Sequence, residues 1–143
     1  MDSPTVIRIQ EKKAKKNGFQ ATVSIDSGPQ YPISVRDPFG GEQEQELEWY
    51  FEEHLVFPFT QKVRAKDAAA SLTTYGETLF KQVFQENPEV YAEYKALLKT
   101  DLGKVQIEIA GSPTFHALHW EALKDPQIAK PLALQTIMLR RNL

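Results

Sequence analysis

The apolar residues of this chain change their spacing twice, and that change constrains the fold more than any single residue does. From Val6 to Val35 apolar and polar side chains alternate: Ile7 and Ile9, then Phe19, Ala21, Val23 and Ile25, then Tyr31, Ile33 and Val35, with Arg8, Gln20, Thr22, Ser24 and Ser34 between them. A repeat of two places every second side chain on one face of an extended strand, so the segment reads as three half-buried strands. Asn17-Gly18 supplies a tight hairpin turn with positive φ angles, and Asp26-Ser27-Gly28-Pro29 interrupts the second connection. An antiparallel meander is the simplest product.

After Asp37-Pro38-Phe39-Gly40-Gly41 the spacing becomes helical. A first helix starts near Glu42, its acidic beginning suited to the positive end of the helix dipole, with Leu47, Tyr50, Phe51 and Leu55 as the inward stripe and Pro58 as its end. Thr60 caps a second helix whose stripe is Val63, Ala65, Ala68, Ala69, Leu72, Tyr75, Leu79, Phe80 and Val83. Asn87-Pro88 gives an N-cap followed by a first-turn proline, opening a third helix with Val90, Tyr91, Tyr94, Leu97 and Leu98 inward and Gly103 closing it. Alternation returns in Val105, Ile107 and Ile109, and the nearly continuous apolar run from Leu132 to Leu139 reads as a central strand. The expectation is one mixed α/β domain over residues 1–143, with an N-terminal three-stranded meander, helices in the middle and two further C-terminal strands.

None of the 143 residues is cysteine, which removes disulfides, thiolate zinc ligands and any thiol nucleophile. The formal net charge of -2 gives no global attraction to phosphate backbones, so nucleic acid is not an expected partner. Met1-Asp2-Ser3-Pro4 does not begin a basic stretch followed by an apolar one, and no run of about 18 apolar residues occurs, so a cytoplasmic protein without a membrane partner is expected.

His116-x-x-His119 with Glu121 is the one metal-like grouping, the pattern of a small metal-dependent hydrolase if a helix brings the two histidines onto one face. Pro113 and the flanking strand signals speak against a helix there, and only His54 remains as another histidine, so no metal and no cofactor are expected. No Gly-x-Ser-x-Gly elbow surrounds any serine. Glu46, Glu48, Glu52 and Glu53 read as a solvated helix face, and Lys12, Lys13, Lys15 and Lys16 as a solvated hairpin end. Trp49 lies off the inward stripe, either on an interaction surface or, the favoured reading, packed under Phe57-Pro58-Phe59.

The run from Glu46 through Trp49, Tyr50 and His54 to Phe57-Pro58-Phe59 resembles the start of CHAT domains, caspase-like and separase-like peptidase relatives often joined to tetratricopeptide repeats. Ile107-Glu108-Ile109, then Leu118-His119-Trp120-Glu121-Ala122-Leu123-Lys124-Asp125-Pro126, then Pro131-Leu132-Ala133-Leu134 and Arg140-Arg141, resemble in order that family's strand, Trp-Glu segment and following strand. The family's catalytic histidine, in a His-Gly motif, and its cysteine lie beyond the Trp-Glu segment, and this chain contains neither, so the resemblance implies no catalytic residue and no enzyme here. Trp49, Tyr50, Pro58, Trp120 and Glu121 are the family-matching or interaction positions, with Trp120 as an aromatic anchor and Glu121 as a strand-end acid. Because the family continues past Arg140-Arg141-Asn142-Leu143, the resemblance implies a piece of a longer protein. Its expected role is a non-catalytic scaffold or regulatory part of a cysteine peptidase, acting through protein-protein contacts with a downstream catalytic part. The alternative is a free-standing protein-binding module. An apolar face around Trp120, covered by a partner or by self-association, is the expected contact surface.

Overall fold

A computed structural model describes residues 4–39, 41–54 and 62–142. Three strands come first, β1 (Thr5–Lys15), β2 (Gly18–Ile25) and β3 (Tyr31–Val35), followed by helices α1 (Gly41–Trp49), α2 (Lys62–Phe80) and α3 (Pro88–Leu97). Strand β4 (Val105–Gly111), the one-turn helix α4 (Pro113–His116) and strand β5 (Ile137–Asn142) complete the order. The strands form one five-stranded sheet in the order β3-β2-β1-β4-β5. β2 pairs antiparallel with both β1 and β3, whereas β4 lies parallel to β1 and β5 parallel to β4. The fold is therefore mixed α/β, with a meander and two later strands as the alternation predicts.

The first hairpin closes between Lys15 and Gly18, which leaves Lys16-Asn17 as its turn. The positive φ, 152°, falls on Gly18 and not on Asn17. A Cβ at Gly18 would also run into the carbonyl oxygen of Val35, so glycine is required by both conformation and space. At the second turn Asp26 and Ser27 take left-handed φ angles of 52° and 67°. Asp26 offsets that strain by bonding β1 twice: its Oδ1 accepts from the Val6 N–H at 2.8 Å and its own N–H donates to the Val6 carbonyl at 2.9 Å.

Register explains the core. Ile7 stands opposite Ile25 and Ile107, and Ile9 opposite Val23 and Ile109, so one sheet face carries the branched apolar residues of three strands. Against that face α2 sets Tyr75, Leu79 and Phe80, and the π-helical turn Lys81–Gln85 that prolongs it adds Val83 and Phe84. Asn87 caps α3 by accepting from the Glu89 N–H, with Pro88 in the first turn, and α3 contributes Val90 and Tyr94. Phe80, Phe84 and Tyr94 form an aromatic triangle with centroids 5.0–5.3 Å apart.

The opposite face is different. Val6, Arg8, Gln10, Thr22, Gln106 and Glu108 lie on it, and none belongs to the core that the helices build. Antiparallel sheets commonly leave one face to solvent, but parallel strands are nearly always covered on both. Among the described residues the helical cover of β1-β4-β5 lies on one face, although Ser24 and Ala110 on the other are themselves buried.

Several sequence expectations are corrected. Leu132 to Leu139 is not a central strand: Leu132–Leu134 is a 3-10 turn that drives Leu132 into the core, and β5 starts at Ile137 on the sheet edge. The turn is closed by the Gln135 and Thr136 N–H groups and the Thr136 hydroxyl, all bonding the Leu132 carbonyl, so the apolar continuity mixes a buried turn with an exposed strand. Gly103 does not close α3, which ends at Leu97; it sits in the turn Leu102–Lys104, its N–H held by Asp101 at 2.9 Å. Of the stripe drawn for α1, Phe51 is exposed and Trp49 is buried instead, because two residues on a helix point nearly opposite ways. Pro58, with Leu55, Phe57, Phe59 and Thr60, lies outside the described residues, as do the side chains of Leu47, His54 and Val63.

Candidate functional site

The segment holding Trp120 and the two histidines is built from short turns. Ser112 caps α4 by accepting from the Phe115 N–H, and Pro113 occupies the first helical turn, where its missing N–H matters least. Thus Pro113 starts a helix rather than preventing one, but the helix ends at His116 and a 3-10 turn, Trp120–Ala122, comes next. His116 and His119 are consequently not neighbours on one helix face.

Trp120 is fully buried. Its indole N–H donates to the Phe115 carbonyl at 2.8 Å and its ring lies 5.1 Å from that of Phe115, which packs edge-on against Phe19 at the same distance. The apolar surface expected around Trp120 is therefore inside the molecule, a correction whose cause is the packing of the turn onto β2 through Phe115 and Phe19. Near it the Tyr94 hydroxyl donates to Asp125 Oδ2 at 2.7 Å, and Asp125 Oδ1 accepts from the Gln127 N–H at 2.9 Å.

The two histidines are held by different partners. His116 Nε2 lies 2.8 Å from the Arg141 carbonyl, an acceptor, so that nitrogen carries the ring proton, and the His116 carbonyl accepts from Arg140 at 3.0 Å. His119 Nε2 is 2.9 and 3.1 Å from the two carboxylate oxygens of Glu44 on α1, while Nδ1 is 3.4 Å from Glu121 Oε1. Glu121 in turn accepts from Arg140 at 3.1 Å. Burial disfavours the charged imidazole of His119, but the hydrogen bond and charge of Glu44, with those of Glu121, outweigh it and raise its pKa above the ordinary value. Glu121, expected at a strand end, sits on the 3-10 turn with its side chain half exposed. The arrangement is a chain of ion pairs joining α1, the turn and β5, and its chemistry is tethering. Among the described residues no group of three or more His, Asp or Glu is placed to hold a metal ion.

On the bare face Glu108 lies between two arginines. Arg8 donates from Nε and Nη2 to Glu108 Oε2 at 3.3 and 3.1 Å, and Arg141 lies 3.0 Å from Oε1 at an angle that makes an ion pair without a hydrogen bond. Register puts Leu139 beside Glu108 and Ile137 beside Gln106, both on this face, 47% and 46% exposed. Leu134, in the turn before β5, is 74% exposed.

Trp49 is buried, with the Arg64 guanidinium 3.9 Å above its ring and that guanidinium forked onto Glu46 at 2.8 Å through two bonds. Tyr50 stands edge-on to Phe51 at 5.4 Å, so the aromatics of this segment divide between packing and surface. The lysines from Lys12 to Lys16 are exposed on the projecting β1–β2 hairpin. Sequence reasoning missed Glu44, Glu108, Ile137 and Leu139. The signal for the last two was present, since Ile137 and Leu139 alternate with Met138 and Arg140 as residues of a strand with two different faces.

Among the described residues no helix is long and apolar enough to cross a membrane. Compared with models of protein families, with curated proteins and with solved structures, the chain matches none.

Proposed function

We propose that this chain is a non-catalytic scaffold that works through protein-protein contacts, as the N-terminal part of a cytoplasmic CHAT-type cysteine peptidase. The observation that carries the contact reading is the one-sided cover of the parallel strands: the helices build their core on the face of Ile7 and Ile107, while Ile137 and Leu139 stand exposed on the other. The peptidase assignment rests on the order of the strand around Ile107, the Trp120-Glu121 segment and the strand ending in Arg140-Arg141. None of the 143 residues is cysteine, so in this reading any thiol chemistry lies outside them.

The test is to sequence the native reading frame past the codon for Leu143 and to co-express the downstream polypeptide with this chain. A continuation with a His-Gly motif and a later cysteine, whose product co-purifies with this chain and cleaves peptides only in its presence, is the expected result. An immediate stop overturns the peptidase assignment and leaves a free-standing binding module, and a continuation lacking those residues overturns it as well.

A further inference from the structure

His119 has a carboxylate at each ring nitrogen, Glu44 of α1 at Nε2 and Glu121 of its own turn at Nδ1. A neutral imidazole has one N–H and one lone pair, so it donates to one of those carboxylates and turns its lone pair on the other. Only the imidazolium donates to both. From α2, the Tyr75 hydroxyl accepts from the His119 backbone N–H at 2.9 Å, and burial keeps that phenol protonated well above its ordinary range. The charges felt at Tyr75 are all acidic, those of Asp37, Glu44 and Glu121, and β5 answers them with Arg140, which bonds Glu121. Loss of the His119 proton therefore leaves Arg140 as the one cation paired with this acidic cluster among the described residues.

None of the described side chains of α1 belongs to the hydrophobic core that α2, α3 and the sheet share. Trp49 is the buried residue among them, and it lies outside that core with the Arg64 guanidinium over its ring. Two carboxylates fasten the helix to its surroundings, Glu44 to His119 and Glu46 to Arg64. An element docked in this way can open while the core stays folded, because local opening costs only the contacts it breaks. We propose that His119 is a proton-controlled latch on α1: in its charged form it holds the helix against the Trp120–Ala122 turn, and on losing its proton it lets the helix part from that turn.

Neither neighbouring contact can play this part. The Glu46–Arg64 pair keeps both its charges throughout the range in which histidine titrates. His116 turns Nε2 to the uncharged Arg141 carbonyl, so its bond needs no charge on the ring. At His119 burial opposes the charge, and Glu44 followed by Glu121 outweighs it, which moves the change toward neutral pH. With α1 undocked the ring returns toward the ordinary 6.5, and with α1 docked its value lies higher. Docking is therefore at full strength below the ordinary value and weakens as the pH rises through the raised one. Glu46, Arg64 and Trp49 keep their contacts when the proton leaves, so opening is a shift of population and not complete release.

The experiment follows the full chain across the histidine range by two readouts. Histidine ring resonances give the titration of His119, assigned by its loss in His119→Gln, and hydrogen exchange, corrected for its intrinsic rate, gives the protection of the α1 amides from Glu46 to Trp49. The expected result is a His119 midpoint above the ordinary value and α1 protection that falls by about fivefold as the pH passes through it, with the amides of α2 and α3 keeping theirs. Tryptophan emission should shift to the red over the same range, a shift that Trp49→Phe removes. In Glu44→Gln, α1 protection is expected to be low at every pH and no longer to follow His119. A His119 midpoint at or below the ordinary value, α1 protection unchanged through that midpoint, a pH-dependent loss that persists in Glu44→Gln, or α1 and α2 losing protection together would each overturn the latch. The wild-type profile carries the test by itself, so it holds even if a variant does not fold.

Discussion

Glu44 and His119, 75 residues apart, meet at 2.9 Å in a contact that ties α1 to the Trp120–Ala122 turn. The imidazole pKa is raised above the ordinary 6.5, because the hydrogen bond and charge of Glu44 and the charge of Glu121 exceed the effect of burial. A group whose folded pKa is raised contributes stability that is full below its unfolded value and is lost as the pH climbs through the folded one. Glu44→Gln is therefore expected to be less stable than the wild type by about 1 kcal/mol near pH 6, with the difference shrinking at alkaline pH. Urea unfolding of both proteins across that range checks it, and a difference independent of pH would show that the pair is not what stabilises the contact.

Tyr94 and Asp125 form a second, more deeply buried pair, with Asp125 only 4% exposed. Burial first, and the Asp125 carboxylate second, hold the phenol protonated well above its ordinary range, so it serves as a permanent donor. Tyr94→Phe strips one carboxylate oxygen of its partner and is expected to destabilise by about 1.5–3 kcal/mol. Combining it with Asp125→Ala in a double-mutant cycle should return a coupling of similar size, whereas additive losses would place the effect in packing alone.

Gly76 lies in the middle of α2, where alanine is ordinarily the better helix former by about 1 kcal/mol. Here that rule reverses. A Cβ at Gly76 would overlap the Ala122 carbonyl, and the Gly76 carbonyl itself accepts from the Lys124 N–H at 3.1 Å, so helix and turn touch backbone to backbone. Gly76→Ala is expected to destabilise by about 1–3 kcal/mol through forced separation of the two. A stabilised variant in thermal unfolding would mean that the contact yields at little cost.

What the sequence made legible was local periodicity, and what it hid was the meaning of apolar residues outside it. Ile7, Ile9, Phe19, Val23, Ile107 and Ile109 are all buried as their alternation requires, and Tyr75, Leu79, Phe80 and Val83 are buried as their helical spacing requires. Asn87-Pro88 starts α3 because its capping chemistry acts within a few residues. By contrast, nothing within the Leu132 to Leu139 run separates a turn that plugs the core from an edge strand, since both need apolar residues and differ only in what lies across from them. The partnership of Glu44 with His119, and of Glu108 with Arg8 and Arg141, is set by topology, which single-residue chemistry does not carry. The Trp-Glu segment stands out in the sequence as chemical in appearance, yet its tryptophan faces inward.

That inward placement has an energetic consequence. Trp120 is 0% exposed, with its N–H bonded to the Phe115 carbonyl and its ring against Phe115, so its removal opens a large cavity between the turn and the sheet. Trp120→Ala is expected to cost about 3–5 kcal/mol, a large share of the stability of a typical domain. The environment can be read without destabilising it: Trp49→Phe leaves Trp120 as the sole tryptophan, and its emission should be blue-shifted and resist acrylamide quenching. Emission typical of a solvated indole would instead return Trp120 to the surface and restore it as a contact residue.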